Sequence, residues 1–404
     1  MASFEWLPLV AHSVDKAVEA LLGDNAPTHL VLGDALIGTA GADQLAEALQ
    51  VNDTVTTLNI RNNDVGSVGA EFIAGALESN GRLQTLDLVG NNIGVPGTLK
   101  LARCLERNSS LTYLDLGNNG IGCPGSRHLA QALGKGTTLK TLRLGSNSIA
   151  ATGAAALAEA LSKNRVLTTI DLADNSLGNL GVEQIAKGLA SNTALTSANL
   201  MRNEIGSEGA KSVFEALMKN NVLTTLNIGG NDIGDCRKEE VNPCGLEQLA
   251  GALKVNTALT SLNLANNELG LREMSLVALA LESSSSLTQC SFRGNIVGTH
   301  LQSLIGQVLE RNVPKMVLNM QCAEHGPDWV LLTLVGLSGD ELTSIEARPG
   351  DLLQNLRLQI ARQLLCNQKH LRLILPDGRL LDNAVEVQCL ADVVMLQQWA
   401  SAGK

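Results

Sequence analysis

The stretch TLDLVGNNIG (residues 85–94) is followed by YLDLGNNGIG at 113 and TLRLGSNSIA at 141, and is preceded by TLNIRNNDVG at 57. TIDLADNSLG at 169, SANLMRNEIG at 197 and TLNIGGNDIG at 225 continue the series, and SLNLANNELG at 261 and QCSFRGNIVG at 289 extend it after one break. An asparagine therefore recurs at Asn63, Asn91, Asn119, Asn147, Asn175, Asn203, Asn231, Asn267 and Asn295, always after the same alternation of aliphatic residues. A fixed period of 28 residues means stacked supersecondary units, in which no unit buries its apolar face without its neighbours.

One unit explains the whole. Leu83, Leu86 and Leu88 point to one side of a short strand, and Thr85 and Asp87 to the other. Asn91 falls where the chain turns away, and its amide both donates to and accepts from the main chain that stacking buries. Ile93 closes the core, and Gly94 and Gly97 are expected to permit the bend into a helix. Small residues such as those of Gly69-Ala-Glu-Phe-Ile-Ala-Gly-Ala-Leu77 then let that helix pack closely on the sheet.

The bulk composition agrees with such an array. At 404 residues the chain exceeds what one core ordinarily supports. Only 2% of it is aromatic, so the core must be built in thin layers of Leu, Ile, Val and Ala. A net charge of −10 argues against binding a phosphate backbone. The eight cysteines show no metal-ligand spacing and read as reduced, intracellular residues. Residues 1–22 make a poor signal or transit peptide, and no apolar run of membrane-spanning length occurs. An intracellular, cytoplasmic location is the expectation, with organellar import left open. Asn52-Asp-Thr54 and Asn108-Ser-Ser110 match the glycosylation pattern and are read as chance matches.

The pattern L-x-x-L-x-L-x-x-N-x-I/L-G-x-x-G-A-x-x-L-A-x-A-L closely resembles the ribonuclease-inhibitor class of leucine-rich repeats, which also occurs in NOD-like receptors and Ran GTPase-activating proteins. The resemblance spans about residues 28–320. It implies an α/β solenoid, a right-handed horseshoe with parallel strands on the concave side and helices on the convex side. Residues 1–27 are expected as an N-terminal cap with a helix at 12–22. In the first unit, THLVLGDALIG (28–38), Ala35 replaces the ladder Asn, and KMVLNMQCAEHG (315–326) is expected to supply a last repeat strand. Counted from Leu30 to Leu318 the array has 11 strands, and at ~4.8 Å per strand it runs on the order of 50 Å. Such a surface suits a protein partner rather than a metabolite.

Read across the strands, the concave face is small, polar and rich in hydroxyls, with acids at Asp87, Asp115 and Asp171. Arg61, Tyr113 and Arg143 are the residue types that anchor interfaces, so these six are candidate partner-binding residues for a basic segment. From Leu226 to Leu262 the spacing is 36, not 28. The extra residues fall in 235–244, where Arg237 and Lys238 are further candidates and Cys236 and Cys244 lack the companions a metal site needs.

After a short linker (321–328), residues 329–398 lose the period. Strands are expected at 329–335, 341–347, 371–375 and 393–396, with a helix at 352–364. The segments Arg348-Pro-Gly-Asp-Leu-Leu-Gln-Asn-Leu356 and Leu373-Ile-Leu-Pro-Asp-Gly-Arg-Leu-Leu381 give this stretch a resemblance to ubiquitin, and so to an α+β β-grasp. Ile374 matches the centre of ubiquitin's apolar recognition patch, whereas Gln397 stands at its last Val and the Arg-Gly-Gly tail is missing. A docking module is implied, with Trp399 in the tail (399–404) as a further contact candidate.

No catalytic constellation appears, and no cofactor or metal is expected. The six histidines are scattered, and Gly134-Lys-Gly-Thr lacks the upstream glycine of a phosphate loop. The reading is a non-catalytic scaffold or adaptor subunit of a multi-protein assembly, binding neither nucleic acid nor spanning a membrane. Two alternatives follow from the resemblances: a regulator of a small GTPase presenting Arg61 or Arg143, and a sensor like the repeat half of NOD-like receptors.

Overall fold

In a computed structural model of the chain, the described residues are 9–11, 13–234, 245–296, 307 and 309, with the backbone alone of five later strands between 316 and 381. The chain divides into two compact units, Met1–Asn312 and Val313–Lys404.

The first unit carries one parallel sheet of 11 strands in strict chain order. These are β1 (Leu9–Val10), β2 (His29–Val31), β3 (Thr57–Asn59), β4 (Thr85–Asp87), β5 (Tyr113–Asp115) and β6 (Thr141–Arg143). Then come β7 (Thr169–Asp171), β8 (Ser197–Asn199), β9 (Thr225–Asn227), β10 (Ser261–Asn263) and β11 (Gln289–Ser291). Helices alternate with them: α1 (Val14–Leu22), α2 (Gly38–Val51), α3 (Gly66–Ser79), α4 (Gly94–Leu105) and α5 (Gly122–Lys135). The rest are α6 (Ala150–Lys163), α7 (Gly178–Ser191), α8 (Ser207–Leu217), α9 (Glu247–Val255) and α10 (Leu271–Ser283). This is the α/β solenoid that the 28-residue period predicts.

Strands β2 to β11 are each three residues long, with the middle residue facing the core. Leu58, Leu86, Leu114, Leu142 and Ile170 are all but fully buried, while their neighbours on either side face the other way. With Leu88 and Ile93, also buried, each repeat adds a layer of aliphatic side chains worth about 1.5–3 kcal/mol apiece in apolar burial.

The turn after each strand has a conformation that explains its composition. Asn62, Asp64 and Gly66, at alternate positions around Asn63, have φ of 55°, 52° and 69°. The same left-handed triplet recurs at Gly90, Asn92 and Gly94, and at Asp174, Ser176 and Gly178. Asn, Asp, Ser and Gly are the residues that enter this region at least cost. Gly94 therefore serves the bend, as expected. Gly97 does something else: a Cβ there would sit 2.6 Å from Ile93 Cγ2 and 3.1 Å from Ala70 Cβ, so it is a close-approach glycine that lets α4 lie against its neighbour. Helices α2 to α7 begin without a side-chain cap; instead the Gly66 N–H donates to the Asn91 carbonyl of the next repeat at 2.9 Å, and Gly94 does the same to Asn119.

At the front, α1 fills the place of the expected capping helix, and β1 adds one strand ahead of Leu30. At the rear the expectation fails. Met316–Glu324 (β12) is a nine-residue strand of the second unit, too long for a repeat strand and paired elsewhere. That unit has a five-stranded sheet in the order β14-β13-β12-β15-β16, where β13 is Val330–Val335, β14 Glu341–Ala347, β15 Leu371–Ile374 and β16 Leu380–Leu381. The hairpin of β13 and β14 is present as expected. The other neighbour of β13 is β12, antiparallel, and β12 pairs in parallel with β15. The helix at 352–364 and the strand at 393–396 lie outside the described residues, as do Cys236 and Cys244. The described cysteines Cys104, Cys123 and Cys290 are unpaired. Among the described residues no helix is long and apolar enough to cross a membrane.

Candidate functional site

Three rows of side chains run across the sheet, and their hydrogen bonds separate structural residues from those left over for a partner. The first row is the Asn ladder. Asn91 Oδ1 accepts from the N–H groups of Asn63 (3.0 Å) and Val65 (3.3 Å), and its Nδ2 donates to the Ile60 and Leu88 carbonyls, each at 2.9 Å. The Asn91 N–H in turn donates to Asn119 Oδ1 at 2.9 Å, and so on to Asn147, Asn175, Asn203 and Asn231. Asn295 receives the N–H of Asn267 at 2.9 Å. The chain of bonds skips one step: Asn267 Oδ1 is buried and has no partner among the described residues, at the step that contains the eight-residue insertion. Ala35, which replaces the ladder Asn in the first unit, still donates its N–H to Asn63 Oδ1 at 2.8 Å.

A second Asn row, which the aliphatic alternation does not reveal, follows helices α2 to α4 and α6 to α9. Asn80 donates through Nδ2 to Leu49 and Asn52 carbonyls (2.7 and 3.1 Å) and accepts through Oδ1 from the N–H groups of Arg82 and Leu83, both at 2.9 Å. Asn52, Asn108, Asn164, Asn192, Asn220 and Asn256 repeat the arrangement. The signal that could have found them is the same 28-residue spacing. The two glycosylation-like sequences are explained here: Asn52 and Asn108 are buried, and their Nδ2 atoms are bonded to Leu21 and Leu77 carbonyls at 2.8 and 2.7 Å.

The third row is the last residue of each strand. Oδ1 of Asn59, Asp87, Asp115, Asp171, Asn199, Asn227 and Asn263 accepts the N–H two residues on, at 2.9 to 3.1 Å. These Asx turns end the strands, and Asn or Asp serves equally. The acids are thus partly structural, and Arg143 is the departure: it occupies the same register between Asp115 and Asp171 and caps nothing.

The structure brings five of the predicted residues together. Asp87, Asp115, Arg143 and Asp171 stand side by side on β4 to β7, with Tyr113 on β5. The Arg143 guanidinium lies 5.6 Å from the Tyr113 ring centre and 3.8 Å from Asp115 Oδ2. The Tyr113 hydroxyl donates to Asp115 Oδ2 at 3.4 Å, and Asn199 Nδ2 donates to Asp171 Oδ1 at 2.9 Å. Asp115 is only 8% exposed. Burial raises its pKa, the Gly117 N–H opposes this, and the charges of Asp87 and Asp171 raise it further while Arg143 lowers it. Tyr113 is also raised, by burial first and then by Asp115. The floor beside this group is bare, since Gly117 and Gly145 follow Asp115 and Arg143, with Val89 and Met201 flanking. Arg61 is exposed, with its aliphatic part over Gly33, two residues past the end of β3, the strand beside β4 and its Asp87. Ile374 ends β15 in the second unit. Arg237, Lys238 and Trp399 lie outside the described residues.

A groove of about 650 Å³ lies on the helix face between α3, α4 and α5. Its charges are largely spent on one another, in the pairs Lys100–Glu71, Arg107–Glu78 (2.9 Å) and Lys135–Glu106 (2.8 Å). Exposed pairs of this kind contribute little, and their mutual pairing leaves the groove without unpaired acids. Cys104 beneath it is buried, which pushes its thiol up to about 12. The strand face at Tyr113 is the stronger candidate.

A family model described as Leucine Rich repeat matches residues 51–74, 82–102, 107–125, 137–158, 163–186, 191–214 and 219–235. No curated protein matches the chain significantly. Among solved structures it is similar to leiomodin-1 actin-binding site 2, at 18% identity and a TM-score of 0.32, covering 47% of this chain and 88% of that one. The TLR13–ssRNA13 complex is similar at 19% identity and a TM-score of 0.44, with 66% of this chain and 32% of that one covered. The tropomodulin C-terminal domain of Caenorhabditis elegans is similar at 17% identity and a TM-score of 0.28, with 33% and 76% covered.

Proposed function

Since this chain is a leucine-rich-repeat protein, with seven repeats matched between residues 51 and 235, we propose that it is a non-catalytic scaffold or adaptor subunit of an intracellular assembly. Its strand face grips a cationic segment of a partner protein. The observation that carries the reading is Arg143. It breaks a row whose other members from Asn59 to Asn263 all cap the main chain, and it lies against the chain's single tyrosine within a run of three carboxylates. A residue that gives up a local hydrogen bond common to its neighbours is a residue retained for something else.

In this reading Asp87 and Asp171 present their outer carboxylate oxygens to Lys or Arg side chains of an extended partner. Tyr113 supplies the flat anchor, and Arg143 fixes register by pairing with an acid between the partner's cations. The glycines on the floor let the partner backbone approach. Arg143 is already engaged by Tyr113 and Asp115, which suits a docking surface better than an arginine that reaches into a GTPase. The second unit, read as a ubiquitin-like docking module, offers a second grip; its hairpin of β13 and β14 supports that reading, while the added β12 extends the sheet beyond the expected pattern.

The test is to identify the contacting partner segment by cross-linking mass spectrometry, then to measure its affinity for the Asp87→Asn/Asp171→Asn variant. Asparagine keeps both Asx hydrogen bonds, as Asn199 and Asn227 do, and removes only charge. Two lost pairings of exposed type are expected to weaken binding about tenfold at low salt. Unchanged affinity, or cross-links confined to the helix face, would sink the proposal.

A further inference from the structure

The second Asn row is interrupted once, at Gly136, which stands where Asn108 and Asn164 stand in the flanking repeats. Gly136 has φ of +98° and is exposed, and the next residue turns inward. Asp53, Gly81, Ser109, Arg165, Thr193 and Asn221, at the position of Thr137 in other repeats, are all exposed, whereas Thr137 is 9% exposed. Its hydroxyl oxygen is buried and has no hydrogen-bond partner among the described residues.

What the missing amide would have served can be read from its neighbours. Asn108 Nδ2 donates to the Leu77 and Asn80 carbonyls at 2.7 and 3.2 Å, and its Oδ1 accepts from the N–H groups of Ser110 and Leu111 at 3.0 and 2.8 Å. One repeat on, the same register gives the Leu105 and Asn108 carbonyls and the N–H groups of Thr138 and Leu139. No described residue bonds any of these four groups; the Thr138 hydroxyl is used elsewhere, on the Leu111 carbonyl at 2.8 Å.

We propose that a single buried water molecule binds here in place of the amide. It accepts from the Thr137 hydroxyl and the Leu139 N–H and donates to the Leu105 and Asn108 carbonyls. A carboxamide offers two donor hydrogens and an oxygen with two lone pairs, and water is the smallest neutral group with the same complement. The groups that the amide serves in the flanking repeats are polar and uncharged, which favours water over an ion, and buried polar groups of this kind are the ordinary partners of internal water. Thr137 turning inward supplies one of the four contacts, which accounts for a buried hydroxyl in a place where every other repeat exposes its side chain.

Thr137→Val, close to isosteric, gives opposite signs for the two possibilities. If the hydroxyl holds a water, its removal leaves that water under-bonded, and the melting midpoint of the full chain falls by on the order of 2 °C. If the hydroxyl is merely unsatisfied, the same change relieves a buried polar group and the midpoint stays or rises, which overturns the proposal. A crystal structure of the full chain supplies the independent arm. Ordered density within hydrogen-bond distance of Thr137 Oγ1 and the Leu139 nitrogen is expected. A Thr137 hydroxyl bonded directly to a main-chain carbonyl, with no density there, overturns it.

Discussion

Arg143 and Tyr113 occupy adjacent strands, and the guanidinium of the first lies 5.6 Å from the ring centre of the second. This pairing exists because Arg143 does not do what Asn199 does on β8, namely cap the N–H two residues further on. Arg143→Asn is expected to give Gly145 its missing acceptor and to raise stability by about 0.5–1 kcal/mol. It also removes the cation and frees the tyrosine ring, so affinity for the partner segment should fall. Urea unfolding together with a binding titration checks both signs at once; a variant that is both less stable and equally competent would refute the functional reading of Arg143.

Asp115 predicts a pH dependence. Its pKa is raised in the folded chain, chiefly by burial, so the protonated form is favoured by folding. The associated stability is fully present below the unfolded value of about 3.9 and is lost as pH rises through the folded value. Asp115→Asn, which retains an acceptor for the Gly117 N–H, should therefore be more stable than the parent at pH 7. The advantage should shrink as pH is lowered into the acid range. Denaturant midpoints measured across that range decide it, and an advantage that grows on acidification would contradict the sign.

Ala150 marks a local cost. It has φ of 52° at the helix-entry position where Gly38, Gly66, Gly94, Gly122 and Gly178 stand in other repeats. A left-handed alanine costs roughly 1–2 kcal/mol, partly offset by the extra freedom glycine has when unfolded. Ala150→Gly should stabilise by about 0.5–1 kcal/mol, read as a rise in the urea midpoint.

Asn119 lies at the middle of the ladder and serves the N–H groups of Asn91 and Ile93 and the carbonyls of Leu88 and Gly117. Asn119→Ala leaves the two N–H groups without their acceptor inside the stack, while the Leu88 and Gly117 carbonyls keep Asn91 Nδ2 and the Gly90 N–H, at a cost of about 3 kcal/mol. Asn295, half-buried at the end of the described array, should cost less when replaced in the same way. Equal losses at the two positions would show that burial is not what makes the ladder matter.

The first ladder was legible because each Asn ends an unmistakable aliphatic alternation. The second was not, because Asn80, Asn108 and Asn192 follow helices amid Ser, Arg and Thr, where any polar residue reads as an ordinary helix end. Nothing in one repeat distinguishes a buried Asn at 108 from an exposed Ser at 109; only the neighbouring repeat, 28 positions away, supplies the carbonyls. The carboxylate row was placed on the correct face, but its hydrogen bonds to the main chain were not foreseen, since alternation reveals direction and not partner. Met316–Glu324 was assigned to the wrong sheet because its Val317, Leu318 and Asn319 imitate a repeat strand while the feature that excludes it, pairing with β13 and β15, is non-local.

The bonds by which both asparagine rows join one repeat to the next span 26, 28 or 31 residues wherever the period is unbroken. Donor and acceptor are thus defined by offset and not by address. Excising one whole unit from the interior would rejoin equivalent ends, and duplicating one would insert a copy already wired to both sides. The number of repeats is for this reason a quantity that gene rearrangement can change in single steps, lengthening or shortening the sheet without redesigning it.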